Sequence, residues 1–296
     1  METQIISMYH NLDEAVKYIW GQGVSIQNKQ PVSGGDINEA YRLLLSNEEE
    51  AFLKINRKAG EIFFRAEANG LTAMRDAGAN VPKVLGYGEG FLLLVYEKSS
   101  FKANDYGTLL GQMLFNMHLS NTEKLVKGNV FGFYEDNFIG TTVQINSPKS
   151  GWVKFFRDAR LGVQMKMADR YFDKEDRKRC KLLLDRLGDL LIEPKFPSLL
   201  HGDLWSGNAM PDRKGKPMLI DPAVYVGHHE ADLAMTELFG GFPSTFYNAY
   251  YEIIPKESGY EDRRDIYNLY HLLNHLNLFG KSYLASVRRI LRHYVG

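Results

Sequence analysis

The spacing of apolar residues changes character once along this 296-residue chain, and that change limits the folds open to it more than any other feature. Up to residue 97 the apolar residues fall mainly into short runs of strand length. The runs 26–32, 40–45 and 51–55 are separated by Ser33-Gly34-Gly35-Asp36 and by Ser46-Asn47 with three glutamates, which read as two hairpin turns. Runs 84–87 and 91–96 flank Gly88-Glu89-Gly90 and predict two more strands. A leading helix is expected over 11–20, where Leu12, Ala15, Val16 and Ile19 share one face. A second is expected over 61–77, with Gly78 as its stop. Beyond residue 98 the spacing is helical over 106–119, 153–168, 174–191, 230–240, 245–251 and 262–293, the last broken near Gly280. The expected fold is therefore α+β and bilobal. A small lobe, 1–97, has a five-stranded antiparallel sheet, and a larger, mainly helical lobe covers 98–296.

Composition closes off several functions. Thirty-six Lys and Arg balance 36 Asp and Glu, so the basic footprint that nucleic-acid binding needs is absent. The single cysteine, Cys180, can form neither an intramolecular disulfide nor a thiolate cage, and points to a reducing compartment. The first ten residues lack the basic and apolar regions of a signal peptide, and the longest clean apolar run, 91–95, is far too short to cross a bilayer. The expectation is a cytoplasmic protein with no membrane or nucleic-acid partner. Its oligomeric state is not legible.

One non-helical island, 199–221, interrupts the helical half and holds the candidate chemistry. It reads His201-Gly202-Asp203-Leu204-Trp205-Ser206-Gly207-Asn208, then a turn and a strand ending in Ile220-Asp221. Phosphoryl transfer needs a positioned hydroxyl, a proton acceptor and divalent ions on the phosphates. Asp203 is the candidate acceptor, and the four residues between it and Asn208 match the spacing of a protein-kinase catalytic loop. Asn208 and Asp221 are the candidate Mg²⁺ ligands, because Mg²⁺ takes few carboxylates and completes its shell with phosphate and water. Upstream, Gly34 and Gly35 allow backbone amides to approach phosphates. Lys54, alone among apolar neighbours in a strand, needs an anion, and Glu67 on the following helix is its natural partner.

The loop Leu200 to Asn208 resembles the signature of the fructosamine kinase family, also called ketosamine 3-kinases, among the aminoglycoside-phosphotransferase-like kinases of protein-kinase-like fold. The Trp205-Ser206-Gly207 insert separates that family from choline and aminoglycoside kinases. Pro31 to Tyr41, Phe131-Gly132-Phe133, 136–140, 152–161 and 227–242 agree with it. The resemblance implies ATP and Mg²⁺ as cofactors, with Asp203 as catalytic base, Asn208 and Asp221 on the metal, and Lys54 and Glu67 as phosphate clamp. Trp205 is placed beside the sugar, and backbone groups near Glu97 at the adenine. It further implies transfer to the 3-hydroxyl of a ketosamine, a small molecule or a glycated protein lysine, with deglycation as the outcome. Some members carry a phosphate-loop cysteine. Here Asp36 lies in that loop and Cys180 in a helix, so no loop-thiol switch is expected.

Each feature also has an ordinary reading. Gly34-Gly35 alone is a hairpin turn, and a strand lysine usually snorkels to the surface. His271 and His275 lack the glutamate of a zinc-protease motif and read as packing or surface residues. The basic run 177–181 reads as a solvated helix face, the cations 288–293 as a dipole-compensating helix end, and Asp232 as a brace for the catalytic loop. Two rival functions remain: a kinase for a choline-like or aminoglycoside acceptor, and a non-catalytic nucleotide-binding protein.

Overall fold

Alternation along one central strand sets up the first lobe. The computed structural model describes residues 7–32, 37–128 and 130–296. Strand β4 (Glu50–Ile55) runs between β3 (Glu39–Leu45) and β6 (Phe91–Val95), with β2 (Ile26–Pro31) outside β3 and β5 (Val84–Gly88) outside β6. Successive side chains in a strand point to opposite faces. Ala51 and Leu53 of β4 thus join Leu43, Leu45, Phe91 and Leu93 in a core that covers Ala15 and Val16 of helix α1 (Leu12–Trp20). Phe52 and Lys54 face the other way, towards helix α2 (Glu61–Asp76) and the second lobe. A slip of one residue would bury Leu53 in the cleft and turn Lys54 into the apolar core. The α1 start is fixed by Asn11, whose side chain accepts from the Glu14 N–H at 2.9 Å.

The sheet has six strands where the sequence predicts five, and it is not wholly antiparallel. The two-residue strand β1 (Met8–Tyr9) pairs parallel with β5, Met8 opposite Tyr87 and Tyr9 opposite Gly88. Its close approach depends on glycine, since a Cβ at Gly86 would run into the Tyr9 ring.

The second lobe is built on helices α3 (Tyr106–His118), α4 (Trp152–Phe156), α5 (Gly162–Met167), α6 (Lys174–Leu190), α7 (Glu230–Leu238), α8 (Ser244–Tyr251), α9 (Tyr260–Phe279) and α10 (Leu284–Val295). A π-helical turn, Arg157–Leu161, joins α4 to α5. Helix α9 is buried on nearly every side, as its central position requires. Four short strands follow α3: β7 (Val130–Phe131), β8 (Asn137–Ile139), β9 (Thr142–Gln144) and β10 (Lys149–Ser150). The island is framed by β11 (Ser198–Leu200), β12 (Ala209–Pro211), β13 (Pro217–Leu219) and β14 (Tyr225–Gly227), paired β11 with β14 and β12 with β13. Arg288 does more than compensate a dipole: it donates to Asp176 at 2.6–3.1 Å and to Asp173 at 3.1 Å, tying α10 to the start of α6. No described helix is long and apolar enough to cross a membrane.

Candidate active site

A cleft of about 1040 Å³ between the lobes brings together Lys54, Glu67, Glu97, Asp203, Trp205, Asn208 and Asp221. Gly34 and Gly35 lie outside the described residues; Val32 and Ile37, on either side of them, line the cleft.

Lys54 is buried and paired twice. Its Nζ donates to Glu67 Oε1 at 2.5 Å and, across the lobes, to Asp221 Oδ1. Burial disfavours the ammonium, yet Asp221 and Glu67 outweigh it and hold the lysine above its ordinary value. It is a fixed cation at every working pH. Burial, with Asp221 adding, raises Glu67 despite its lysine. Asp221 adopts a left-handed backbone, φ 54°, which costs a non-glycine residue about 1–2 kcal/mol. The strain is sustained by its neighbours: Ala223 N–H donates to the His201 carbonyl, and Ile220 N–H to that of Asn208.

The loop that carries Asp203 is held by buried polar groups. Asp232 accepts from the His201 N–H at 2.7 Å and the Gly202 N–H at 2.9 Å, and His118 Nε2 lies 3.2 Å from it. The brace expected from the sequence is thus a carboxylate gripping two loop amides. His201 accepts the Asp203 N–H at Nδ1, 3.2 Å, and its Nε2 donates to the Ile220 carbonyl at 2.9 Å, an arrangement that needs the neutral ring. Burial keeps it neutral by lowering its pKa. Gly202 has φ 81°, and a Cβ there would strike the Ala223 carbonyl, so the loop and the Asp221 segment touch backbone to backbone.

Asp203 is pushed up to about 7, first by burial and then by the charges of Asp221 and Asp232, although a hydrogen bond from Asn208 opposes the shift. Asn208 spends its Nδ2 on the Asp203 carbonyl at 2.8 Å and carboxylate at 3.4 Å. Its amide oxygen is the end left for a metal. Trp205 lies over Gly207, where any Cβ would meet the indole, and Ser206 packs against Gly241. The Trp-Ser-Gly run and the glycines after α7 therefore fit one another, with the indole 41 % exposed at the cleft.

Some residues of the site escaped the sequence reading. His275 lines the cleft in an aromatic cluster, with ring centres 5.2 Å from Phe239, 5.4 Å from Phe279 and 5.0 Å from Tyr283. It is a packing residue, as expected, but its packing forms part of the cleft wall. His271 is buried 4.0 Å from Asp203 Oδ1. Their i and i+4 spacing was visible, but not that α9 would run beside the loop. Arg160 is fully buried with no carboxylate partner among the described residues. Its guanidinium lies 3.9 Å from the Tyr225 ring centre and donates to the Ile145 carbonyl and Asn146 Oδ1, both at 2.7 Å. Asn146 in turn donates to Asn137, and Asn137 and Gln144 donate to the carbonyls of Val224 and Ala223. This network braces the chain that follows Asp221. The Glu97 carboxylate faces the other lobe, accepting from Arg213 Nε at 3.2 Å.

A lysine–glutamate pair on the sheet lobe, facing an Asp/Asn loop and a second aspartate on the helical lobe, defines a phosphotransferase of protein-kinase-like fold that acts on a hydroxyl group. The fructosamine kinase family model matches residues 8–296. The chain belongs to the fructosamine kinase family. It is 38 % identical over 290 residues to a Synechocystis sp. protein named for ketoamine kinase activity, covering 96 % of each chain. It is 40 % identical over 282 residues to the chloroplastic protein-ribulosamine 3-kinase of Arabidopsis thaliana, covering 93 % of this chain and 85 % of that one. A crystal structure from Haemophilus somnus, of a protein named for fructosamine-3-kinase activity, superposes with a TM-score of 0.86 at 29 % identity, covering 96 % of both chains.

Proposed function

We propose that this chain transfers the γ-phosphoryl group of ATP to the 3-hydroxyl of ketosamines, the fructosamine or ribulosamine adducts of amines or protein lysines, and so initiates their removal. The observation that carries the reading is the acceptor end of the cleft, where Asp203 and Trp205 meet Phe239, Asn274, His275 and Tyr283. Glu67 and Asp221 are engaged by Lys54, and Glu97 by Arg213, which among the described residues leaves Asp203 as the carboxylate facing the acceptor. Aromatic faces together with the Asn274 amide suit a polyol, which stacks its ring and hydrogen-bonds its hydroxyls, whereas a polycationic aminoglycoside calls for several carboxylates; a choline-like ammonium would use the ring faces alone. Incubation with ATP, Mg²⁺ and a panel of fructosyl-lysine, ribulosyl-lysine, choline and aminoglycosides tests this. Nucleotide consumption with choline or aminoglycosides alone would overturn it.

The geometry supports a role for each residue. Lys54 neutralises phosphate charge, and Glu67 keeps it extended along the cleft. Phe52, Leu94, Met210 and Met218 enclose an apolar slot for adenine, and the backbone around Glu97 supplies its polar edge. The donor set fits a hard divalent ion: one carboxylate, Asp221, one amide oxygen, Asn208, and neighbouring negative charge that adds to burial in raising Asp203. When bound, Mg²⁺ would neutralise the phosphate oxygens. Asp203 takes the proton as the 3-hydroxyl attacks, and Trp205 orients the sugar.

Two substitutions check these assignments. Asp221→Ala is expected to abolish the Mg²⁺-dependent part of nucleotide binding, read by calorimetry with and without metal; unchanged metal dependence would remove the ligand role. Trp205→Ala should raise the KM for fructosyl-lysine by about 10-fold or more while the KM for ATP moves little. Equal effects on both would place the indole elsewhere.

A further inference from the structure

We propose that His271 is a positioning residue for Asp203, its Nδ1 engaging carboxylate Oδ1 and setting the rotation of the group that accepts the proton. The proposal rests on the reading of Asp203 as the base. His271 is 4 % exposed, and its Nδ1 is closed off from solvent with no hydrogen-bond partner among the described residues. Buried polar atoms are nearly always paired, so an orphan beside a reaction centre asks for a reason. The Asp203 Oδ1 lies 4.0 Å away. Hydrogen bonds at catalytic groups are often long before substrate arrives and tighten in the loaded complex. A small turn of the Asp203 side chain would close the gap to about 3 Å, hydrogen-bond distance.

The other anchors of Asp203 all lie in its own loop: its N–H donates to His201, and its Oδ2 and carbonyl accept from Asn208. His271 alone comes from α9, the helix that also lines the acceptor end through Asn274 and His275. The His271 carbonyl accepts from His275 Nδ1 at 2.8 Å, so one residue links the base to the aromatic cluster. Burial, with His275 adding, holds the His271 imidazole down to about 3, hence neutral. A neutral N–H can orient a carboxylate without forming the ion pair that would strip it of basicity.

The test compares His271→Leu, His271→Asn and His271→Gln, alone and with Asp203→Asn. His271→Leu should lower kcat about 10- to 100-fold, leave the KM for ATP unchanged, and not lower the thermal midpoint, since it removes an unpaired buried polar atom. Asn places an amide at the reach of Nδ1 and should restore kcat to within about threefold of the parent. Gln extends to the position of Nε2 and should not restore it. In the Asp203→Asn background His271→Leu should cost nothing further. A parental kcat for His271→Leu in a protein that Asp203→Asn inactivates overturns the proposal and spares the base assignment. So does an undiminished loss in the Asp203→Asn background, or an equal loss for Asn and Leu. Turnover retained by Asp203→Asn overturns the base assignment itself.

Discussion

Asp203→Asn is expected to lower kcat by about 10²- to 10⁴-fold while ATP binding persists, and at the same time to stabilise the fold above neutral pH. The first half follows from the proton-acceptor role proposed for Asp203, lost while the shape of the loop is kept. The second follows from the raised carboxyl. The folded group titrates near 7, against an ordinary value of 3.8. Between those values the folded chain keeps a proton that the unfolded chain has shed, so stability falls as pH rises through this window, and the penalty is complete above it. With the side chain 23 % exposed, the penalty is at most about 4 kcal/mol. The asparagine removes it. Thermal melts without nucleotide or metal should show the variant gaining on the parent from pH 5 to pH 8. A constant difference between the two across that range would mean that Asp203 is not held neutral by its surroundings.

Asp232→Ala should be the most damaging change away from the chemistry itself. Its carboxylate is the partner of two buried loop amides and lies against His118, and alanine strands all three. Orphaned buried donors cost about 1–3 kcal/mol each, and the whole about 3–5 kcal/mol. A fall in the thermal midpoint on the order of 10 °C is expected, with turnover below that of any single cleft-lining aromatic variant. Burial favours the protonated acid, but His118 and the loop amides outweigh it and hold Asp232 below its ordinary value. Its contribution is therefore complete above about pH 4 and lost on acidification beneath that. A thermal midpoint within about 2 °C of the parent would show that the loop holds itself.

Residues tied to a local pattern were legible before any coordinates. The Asp203–Asn208 spacing, Lys54 in a strand and Glu67 on the next helix are read within a few turns of chain, and all of them meet in the cleft. What escaped has no local signature. Strand β1 is two residues long, too short for alternation to show, and its place beside β5 is decided by contact. Arg160 owes its burial to a π-turn and to rings from three elements. His271 and His275 look like ordinary helix residues because the proximity that matters is to a loop about seventy positions earlier in the chain. The aspartate at φ 54° was recognised by its place after a strand, but its strain was not, since only its neighbours enforce it.

The lysine that spans the two lobes has a consequence for how the reaction begins. Its ammonium engages Asp221, the carboxylate proposed above to hold the divalent ion, so on that proposal nucleotide loading exchanges one cation for another. Lys54→Met, which frees that carboxylate, should let the metal in more readily even as it cripples transfer, so one side chain would set both the charge on the phosphates and the ease of metal entry.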